Sequence, residues 1–248
     1  MKGFKNIFLL PILSLVSHYA ISSPMQQAAD NLASEKAPIK ISPEPDYVKN
    51  SPNTRVNEYV PAKILDSAYS GVDRRYKISV ERLRQQAAEI KTYAVANRCN
   101  AEYCFLVDMS LPSGMNRFFI YNLKTDQVVK ASLVAHGFGS TSRDGSDDLV
   151  FSNNNFSFKT SLGKYKIGAA YNGAYGLAYK LYGLESTNNK AFERAIVLHA
   201  DTHMPETEVY PSRIFQSAGC PAVSPRFLPV LSNYIKSSKQ PILMWIYN

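Results

Sequence analysis

The chain has 248 residues, of which 45% are hydrophobic and 12% aromatic. This is enough apolar material for one sizeable domain or two small ones, and it excludes a wholly disordered protein. The formal net charge of +8 suits an anionic partner such as a polymer surface, but no block of Lys and Arg alternates with aromatic residues, so we expect no nucleic-acid partner.

The N-terminus has the layout of a secretory signal peptide over residues 1–22. A short basic segment ending at Lys5 precedes an apolar run from Ile7 to Val16, and small residues lead up to a cleavage site after Ser22. The run is too short to span a bilayer, although an uncleaved anchor is the alternative. We expect secretion across an inner membrane into the periplasm or cell envelope, with no stable membrane insertion after cleavage.

Residues 23–78 are rich in Pro, Ser, Lys and Asn and show no sustained periodicity. This composition predicts a linker or a loosely attached N-terminal arm. Order is expected from Ser79 onwards, so that residues 79–248 form the domain that carries the chemistry.

Within this domain the pattern is mainly β with flanking helices, an α+β class. Apolar residues at helical spacing predict a first helix from Ser79, as its N-cap, to about Asn97. Ser224 and Pro225 open a last helix, and Asn188–Glu193 are expected to form a short one. Residues Tyr171–Leu184 mix glycines with tyrosines and receive no assignment. Strands are predicted at Phe105–Asp108, Arg117–Tyr121, Val128–Ala135, Lys164–Ile167, Ala195–His199 and Pro241–Tyr247.

Three cysteines are present. In an oxidising compartment, Cys99 and Cys104 are spaced to close a small disulfide loop, worth on the order of 2 kcal/mol. Cys220 is then left over, and an unpaired thiol in an exported protein points to a function.

Cys220 and His199 have the ingredients of a thiol nucleophile with its base. His199 ends a predicted strand, and Cys220 follows the small-residue turn Ser217-Ala-Gly. Gly219 permits backbone angles that aim successive amides at a developing oxyanion, and a neighbouring imidazole can ionise the thiol. The alternatives are a small buried cysteine and a structural histidine.

His199 and His203, with Asp201 and Cys220 nearby, also invite a zinc interpretation. The sequence Met204-Pro205 disfavours a helix that would bring both imidazoles to one face, and no second cysteine lies at ligand spacing. We expect no metal and no organic cofactor.

Six short motifs follow one another along the domain. They are Val134-Ala-His136-Gly-x-Gly-Ser140, Phe151-Ser-Asn153, Ser161-Leu-Gly163, Gly183-Leu-Glu185 with Asn188, Arg194-Ala-Ile-Val-Leu-His199 and Ser217-x-Gly-Cys-Pro-Ala-Val223. As a set they resemble the murein L,D-transpeptidase catalytic domain family of YkuD-like cysteine enzymes, which cross-link peptidoglycan. The resemblance implies an L,D-transpeptidase-like mixed β-sandwich, Cys220 as acylated nucleophile, His199 as its base, and Ser217 and Gly219 as residues that shape the pocket.

One departure concerns substrate recognition. The better-studied branch of the family has His and Arg beside its cysteine, where this chain has Ala218 and Ala222. Arg194 and Arg213 are the candidates to replace that arginine, with a salt bridge inside the domain as the alternative for Arg194. His136 is a candidate substrate contact at the rim, or a structural turn residue.

We therefore expect an exported cysteine L,D-transpeptidase whose partners are peptidoglycan stem peptides. By the resemblance, the thiolate attacks the carbonyl between the third and fourth stem residues, and an amine of a second stem resolves the thioester. If water resolves it, the same site is an L,D-carboxypeptidase or endopeptidase. A non-catalytic peptidoglycan-binding module is the alternative from another class. The oligomeric state is open.

Overall fold

The structure, a computed structural model, describes residues 74–142 and 148–248. The signal peptide expected over 1–22 and nearly all of the arm expected over 23–78 lie outside these residues, so both stay predictions. Within the described ranges, no helix combines the length and the apolar character that a membrane crossing requires.

The described residues form a mainly β domain with two α-helices, which confirms the predicted class. Helix α1 spans Arg74–Ala96, helix α2 spans Phe227–Ser237, and a 3-10 helix covers Phe138–Ser140. The strands are β1 (Tyr103–Asp108), β2 (Phe118–Asn122), β3 (Gln127–Ser132), β4 (Gly163–Gly173), β5 (Gly176–Gly183), β6 (Val197–Ala200), β7 (Ala222–Val223) and β8 (Leu243–Tyr247).

These strands belong to one mixed sheet in the order β3-β2-β1-β8-β4-β5-β6-β7. Strand β1 pairs in parallel with β8, and β6 with β7. The remaining neighbours are antiparallel. The layers of the expected sandwich are therefore built from one continuous sheet.

The two edges of this sheet approach each other. The chain that leaves β3 crosses to the opposite edge, where the amide of Ala135 donates to the carbonyl of Ala222 in β7 at 2.8 Å. Gly137 then forms a parallel bridge with Ser217. The sheet thus wraps around an inner core whose buried members include Phe105, Phe118, Tyr165, Tyr179, Leu198, Met244 and the α2 residues Phe227, Leu228 and Leu231.

Helix α1 covers the outer face of the sheet. Its apolar stripe of Leu83, Ala87, Ile90 and Ala94 is buried in a second cluster with β1, β2 and β8. The helix begins at Arg74, so the prediction of Ser79 as its N-cap is wrong. Residues 74–78 contain no Gly or Pro, and their ordinary helix propensity lets the helix extend past the apolar stripe.

The expected disulfide between Cys99 and Cys104 is absent, because both are free thiols in the structure. The β1–β2 register places Cys104 opposite Tyr121. Cys104 is buried in the second cluster, between helix α1 and the sheet. The Cys99 thiol contacts the carbonyl of Asn97 at 3.6 Å. Burial raises the pKa of both thiols. The prediction rested on sequence spacing alone, whereas the two sulfur atoms contact different groups in the structure.

The segments around the site differ most from the sequence prediction. Strands β4 and β5 form a hairpin through Tyr171–Leu184, which had no assignment. Residues Asn188–Glu193 form successive turns and not the expected helix. Helix α2 begins at Phe227 with Arg226 as its N-cap, so the prediction of Ser224 as N-cap and Pro225 as first helical residue is wrong. Residues 225 and 226 form a turn instead, in which Ser224 Oγ accepts from the amide of Phe227 at 3.3 Å.

Candidate active site

The turn that carries Cys220 is closed by a serine hydroxyl. Ser217 Oγ donates to the carbonyl of Cys220 at 2.6 Å and accepts from the amide of Gly219 at 3.1 Å. Gly219 has φ +121°, a value that residues with a side chain rarely adopt. Ser217 and Gly219 together therefore fix the backbone of the turn that carries Cys220 and leads into β7.

The Cys220 thiol lies against the start of β6. The amide of Val197 donates to Sγ at 3.4 Å, and Sγ contacts the carbonyl of Ala195 at 3.8 Å. Burial raises the pKa of the thiol, while the Val197 amide and the charge of Arg194 lower it. Since burial is the largest of these effects, the thiol needs a base to ionise near neutral pH.

His199 lies at the end of β6, directly opposite Ala222, which follows the cysteine by two positions in the parallel β6–β7 pair. Its Nδ1 lies 2.9 Å from the carbonyl of Ala200. A carbonyl only accepts, so Nδ1 carries the hydrogen and Nε2 of the neutral ring is the basic nitrogen. Burial lowers the pKa of His199, and the Ala200 carbonyl and Asp201 raise it.

The outer side of the imidazole is covered by an aromatic ring. Tyr175, at the tip of the β4–β5 hairpin, stacks on His199 with ring centroids 4.5 Å apart and an interplanar angle of 26°. Tyr175 remains 63% exposed, so its ring separates the imidazole from solvent. The hairpin that the sequence left unassigned thus contributes directly to the site.

Arg194 connects the cysteine turn to the loop of residues 152–159. Its Nη1 donates to the carbonyl of Ser152 at 2.9 Å, and its Nη2 donates to the carbonyl of Lys159 at 2.6 Å and contacts Ser157 Oγ at 3.4 Å. The salt bridge considered as its alternative role is replaced by these backbone contacts. Arg194 holds the loop and supplies positive charge near Cys220.

Glycines allow three backbone segments to stack closely beside Cys220. A Cβ on Gly137 would lie 2.2 Å from the carbonyl oxygen of Phe158 and 2.8 Å from the Cα of Gly219. One on Gly139 would lie 2.3 Å from the carbonyl oxygen of Ser157. The glycines of the His136-to-Ser140 motif are therefore required by close packing against the cysteine turn and the loop.

A groove runs beside the turn at Ala218. Phe156 and Phe158 on its wall both have left-handed backbone angles, with φ of +58° and +54°, as does Ala195 with φ +53°. Such angles are unfavourable for bulky residues and concentrate at functional sites. The groove is lined by Asn155, Phe156, Phe158, Glu193, Arg194, Ala195, Ile196 and Ala218.

His136 belongs to a separate cavity. Its carbonyl accepts from the amide of Ser217 at 2.9 Å, but its ring lines a small cavity together with Arg117, Thr141, Arg213 and Gln216. Nη2 of the buried Arg117 donates to Nδ1 of His136 at 2.8 Å. Burial and the charges of Arg117 and Arg213 lower the pKa of His136 to about 3, so the ring is neutral.

The two remaining zinc candidates contact each other. His203 Nδ1 lies 2.8 Å from Asp201 Oδ1, and the exposed ring of His203 stacks on Phe215. Across residues 74–142 and 148–248, no three His, Cys, Asp or Glu side chains are grouped so that they could hold a metal ion.

Several residues around the site could not be identified from the sequence pattern. Arg117 is 1% exposed and lies at the start of a predicted strand, where an arginine is normally assigned to the surface. Tyr175, Phe156 and Phe158 lie in segments without periodicity. The available signal for the loop was its position between two motifs of the resemblance, Phe151-Ser-Asn153 and Ser161-Leu-Gly163.

The fold and site define a β-sheet domain with a cysteine on a serine-closed turn beside a strand-end histidine. Comparison with known families agrees, since residues 74–247 match the L,D-transpeptidase catalytic domain. The chain belongs to this family, as the sequence motifs predicted. No curated protein sequence matches the chain.

Solved structures give a more distant likeness. The helical cell shape determining protein Pgp2 from Campylobacter jejuni is 13% identical with a TM-score of 0.36, covering 59% of this chain and 47% of that one. The Ldtfm-avibactam carbamoyl enzyme is 11% identical with a TM-score of 0.35, covering 59% and 49%. An L,D-transpeptidase from Xylanimonas cellulosilytica is 14% identical with a TM-score of 0.32, covering 58% and 60%. The chain thus spans about half to three fifths of the proteins that it matches.

Proposed function

We propose that the chain is an exported cysteine L,D-transpeptidase that acts on peptidoglycan stem peptides through an acyl-enzyme on Cys220. The observation that carries this proposal is the hydrogen bond between His199 Nδ1 and the carbonyl of Ala200. Because this bond leaves Nε2 as the basic nitrogen, the strand-end imidazole is ready to accept a proton beside the cysteine turn.

In the proposed reaction, His199 Nε2 takes the proton from Cys220 Sγ. The thiolate attacks the carbonyl carbon between the third and fourth residues of the donor stem. The tetrahedral intermediate collapses, its C–N bond breaks, and the departing D-Ala amine takes the proton from the imidazolium. The product is a thioester. A neutral amine of a second stem then attacks it, gives up its proton to His199, and releases the Cys220 thiolate.

The oxyanion of the tetrahedral intermediate requires amide donors. The amide of Gly219 already donates to Ser217 Oγ, so we assign the amide of Cys220 itself to the oxyanion. Ser217 and Gly219 then contribute by holding the turn. This assignment refines the expectation that the Gly219 conformation would aim successive amides at one point.

Substrate recognition follows from the groove beside Ala218, where we propose that the donor stem lies. Arg194, which donates to backbone carbonyls of the groove wall, acts there by holding the wall and by its charge. Arg213 and His136 line the other cavity, and substrate contact by these two residues stays a prediction. The protein would act in the periplasm or cell envelope and use neither metal nor organic cofactor.

The test is mass spectrometry of the purified protein with a carbapenem, which members of this family are expected to accept as an acylating substrate mimic. We expect one adduct on Cys220, none with Cys220→Ala, and a rate at least about a hundredfold lower with His199→Gln. An unlabelled Cys220 in the folded wild type would favour the non-catalytic peptidoglycan-binding module.

Muropeptide analysis with wild type and Cys220→Ala separates the remaining alternatives. New cross-links from the third residue of a donor stem indicate transpeptidation, whereas shortened stems or opened cross-links indicate a carboxypeptidase or endopeptidase. Activity that survives strong chelation would exclude a zinc-dependent hydrolase, the interpretation that His199 and His203 invited.

A further inference from the structure

Strand β6 leads into an acidic residue, Asp201, on the face that carries His199. Leu198 and Ala200 pack on the inner core, and the intervening His199 therefore points to the opposite face. Strand β6 ends at Ala200, which pairs with Val223, and the amide of Asp201 donates to the carbonyl of Val223 at 3.0 Å, so the peptide unit that enters Asp201 is still held by β7. Because His199 and Asp201 are two positions apart in extended chain, their side chains share one face.

The carboxylate of Asp201 is held in a fixed orientation. Oδ1 accepts from the amide of His203 at 2.9 Å and from His203 Nδ1 at 2.8 Å. The side chain of Asp201 is only 10% exposed, while that of His203 is 74% exposed. The His203 ring is itself supported by Phe215, with centroids 5.4 Å apart. A partly exposed carboxylate whose orientation is fixed by His203 can act electrostatically on a neighbouring group.

We propose that Asp201 is a positioning residue for His199, whose carboxylate stabilises the imidazolium that forms when the cysteine is deprotonated, and that His203 holds that carboxylate in place. The role rests on the proposed function, in which His199 becomes charged. It adds to the Ala200 carbonyl, which fixes the ring tautomer but carries no full charge.

The electrostatics of the site agree with this geometry. Burial lowers the pKa of His199, and Asp201 is the charged side chain that raises it. Burial raises the pKa of Asp201, but the hydrogen bonds from His203 and the charges of both histidines together outweigh it, so the pKa lies below its ordinary value and the carboxylate is ionised. Tyr175 from the hairpin is the titratable side chain that stacks on the imidazole. On the neighbouring turn, burial raises the pKa of the Cys220 thiol, so it adds no charge at neutral pH.

The first experiment follows the His199 ring by NMR against pH in wild type, Asp201→Asn and Asp201→Glu. Removal of the negative charge destabilises the imidazolium, so Asp201→Asn should lower the pKa of His199 by about one unit. Asp201→Glu retains the charge and should keep most of the wild-type value. An unchanged His199 pKa in a folded Asp201→Asn variant would overturn the proposal.

The second experiment measures kcat and KM against pH. For Asp201→Asn we expect kcat to fall about tenfold with KM nearly unchanged, and the acid limb of the profile to move to lower pH by the NMR shift. His203→Ala should show the same changes at smaller size, because the carboxylate remains but loses its support. A rise in KM alone would contradict the proposal.

These two readouts separate the inference from the function on which it rests. The NMR titration needs only folded protein, and it decides whether Asp201 acts on His199. If wild type showed no acylation of Cys220 while the titration shift was present, the proposed function would fail and the electrostatic coupling would stand.

Discussion

Tyr175 and His199 form a stacked pair, with ring centroids 4.5 Å apart, that links the β4–β5 hairpin to the end of β6. The two strands of this hairpin meet at Gly173 and Gly176, so Tyr175 is placed by the tight turn between them. The base of the proposed reaction is thus held from two sides, by the Ala200 carbonyl on its Nδ1 and by an aromatic ring on its face.

Replacing Tyr175 by Ala should lower kcat/KM up to about tenfold, because an aromatic pair contributes roughly 0.5–1.5 kcal/mol. Less burial of the imidazole should also raise the pKa of His199 towards its ordinary value. Steady-state kinetics and NMR titration check both effects. Tyr175→Phe keeps the ring and should behave like wild type, so an equal loss in both variants would assign the effect to the hydroxyl.

Arg194 should influence the Cys220 thiol through its charge. Removing that charge in Arg194→Gln raises the pKa of Cys220, so its alkylation by iodoacetamide should require higher pH. Peptide mass spectrometry distinguishes Cys220 from Cys99 and Cys104. Arg194→Lys retains the charge but not the forked contacts with Ser152 and Lys159. The Arg194→Lys variant should therefore keep the wild-type pH profile of alkylation but have a higher KM, because the groove wall is displaced. Identical alkylation profiles for wild type and Arg194→Gln would contradict the prediction.

His136 should make the fold sensitive to acid. Its folded pKa of about 3 lies below the unfolded value near 6.5, so the unfolded chain binds the proton first as pH falls. The contribution of neutral His136 to the free energy of unfolding is complete above pH 6.5 and declines from there towards pH 3. Between pH 7 and pH 5 it falls by about 2 kcal/mol. Urea unfolding at these two pH values measures it.

The control for this effect is His136→Gln, in which an amide oxygen can accept from Arg117 but does not titrate. Its unfolding free energy should fall by about 2 kcal/mol less than that of wild type over the same interval. Equal pH dependence in the two proteins would mean that other groups, such as the carboxylates, cause the loss.

The sequence was most informative where local chemistry and position coincide. Cys220, Ser217 and Gly219 lie on one turn, and their mutual contacts follow from residue type and from adjacency. Most strands were recognisable because their side chains are buried on both faces of the sheet, as in β8, where all five residues are buried. His199 was identifiable because an apolar strand ends there.

What the sequence could not reveal depends on contacts between distant segments. Tyr175 reaches His199 only because β5 pairs with β6, and no local pattern encodes that register. Arg117 is buried because its donors reach the carbonyls of Val134 and Leu111, which lie on other segments. The Cys99–Cys104 spacing was misleading for the same reason, since the packing of each side chain decides which groups meet.

Gly137 should be the least replaceable glycine near the site. In Gly137→Ala the new Cβ would meet the Phe158 carbonyl oxygen at 2.2 Å and the Gly219 Cα at 2.8 Å. Both are backbone atoms, so the loop and the cysteine turn must separate. We expect a loss of about 2–4 kcal/mol in unfolding free energy and at least a tenfold slower acylation of Cys220, measured by urea unfolding and by mass spectrometry.

The matched control is Gly176→Ala at the hairpin tip, where φ is +73° but no atom lies within 4 Å of the added Cβ. This variant should lose only the about 1–2 kcal/mol of a left-handed residue and retain its acylation rate. A Gly137→Ala protein that acylates as fast as the Gly176→Ala protein would show that the stacked backbones do not position Cys220.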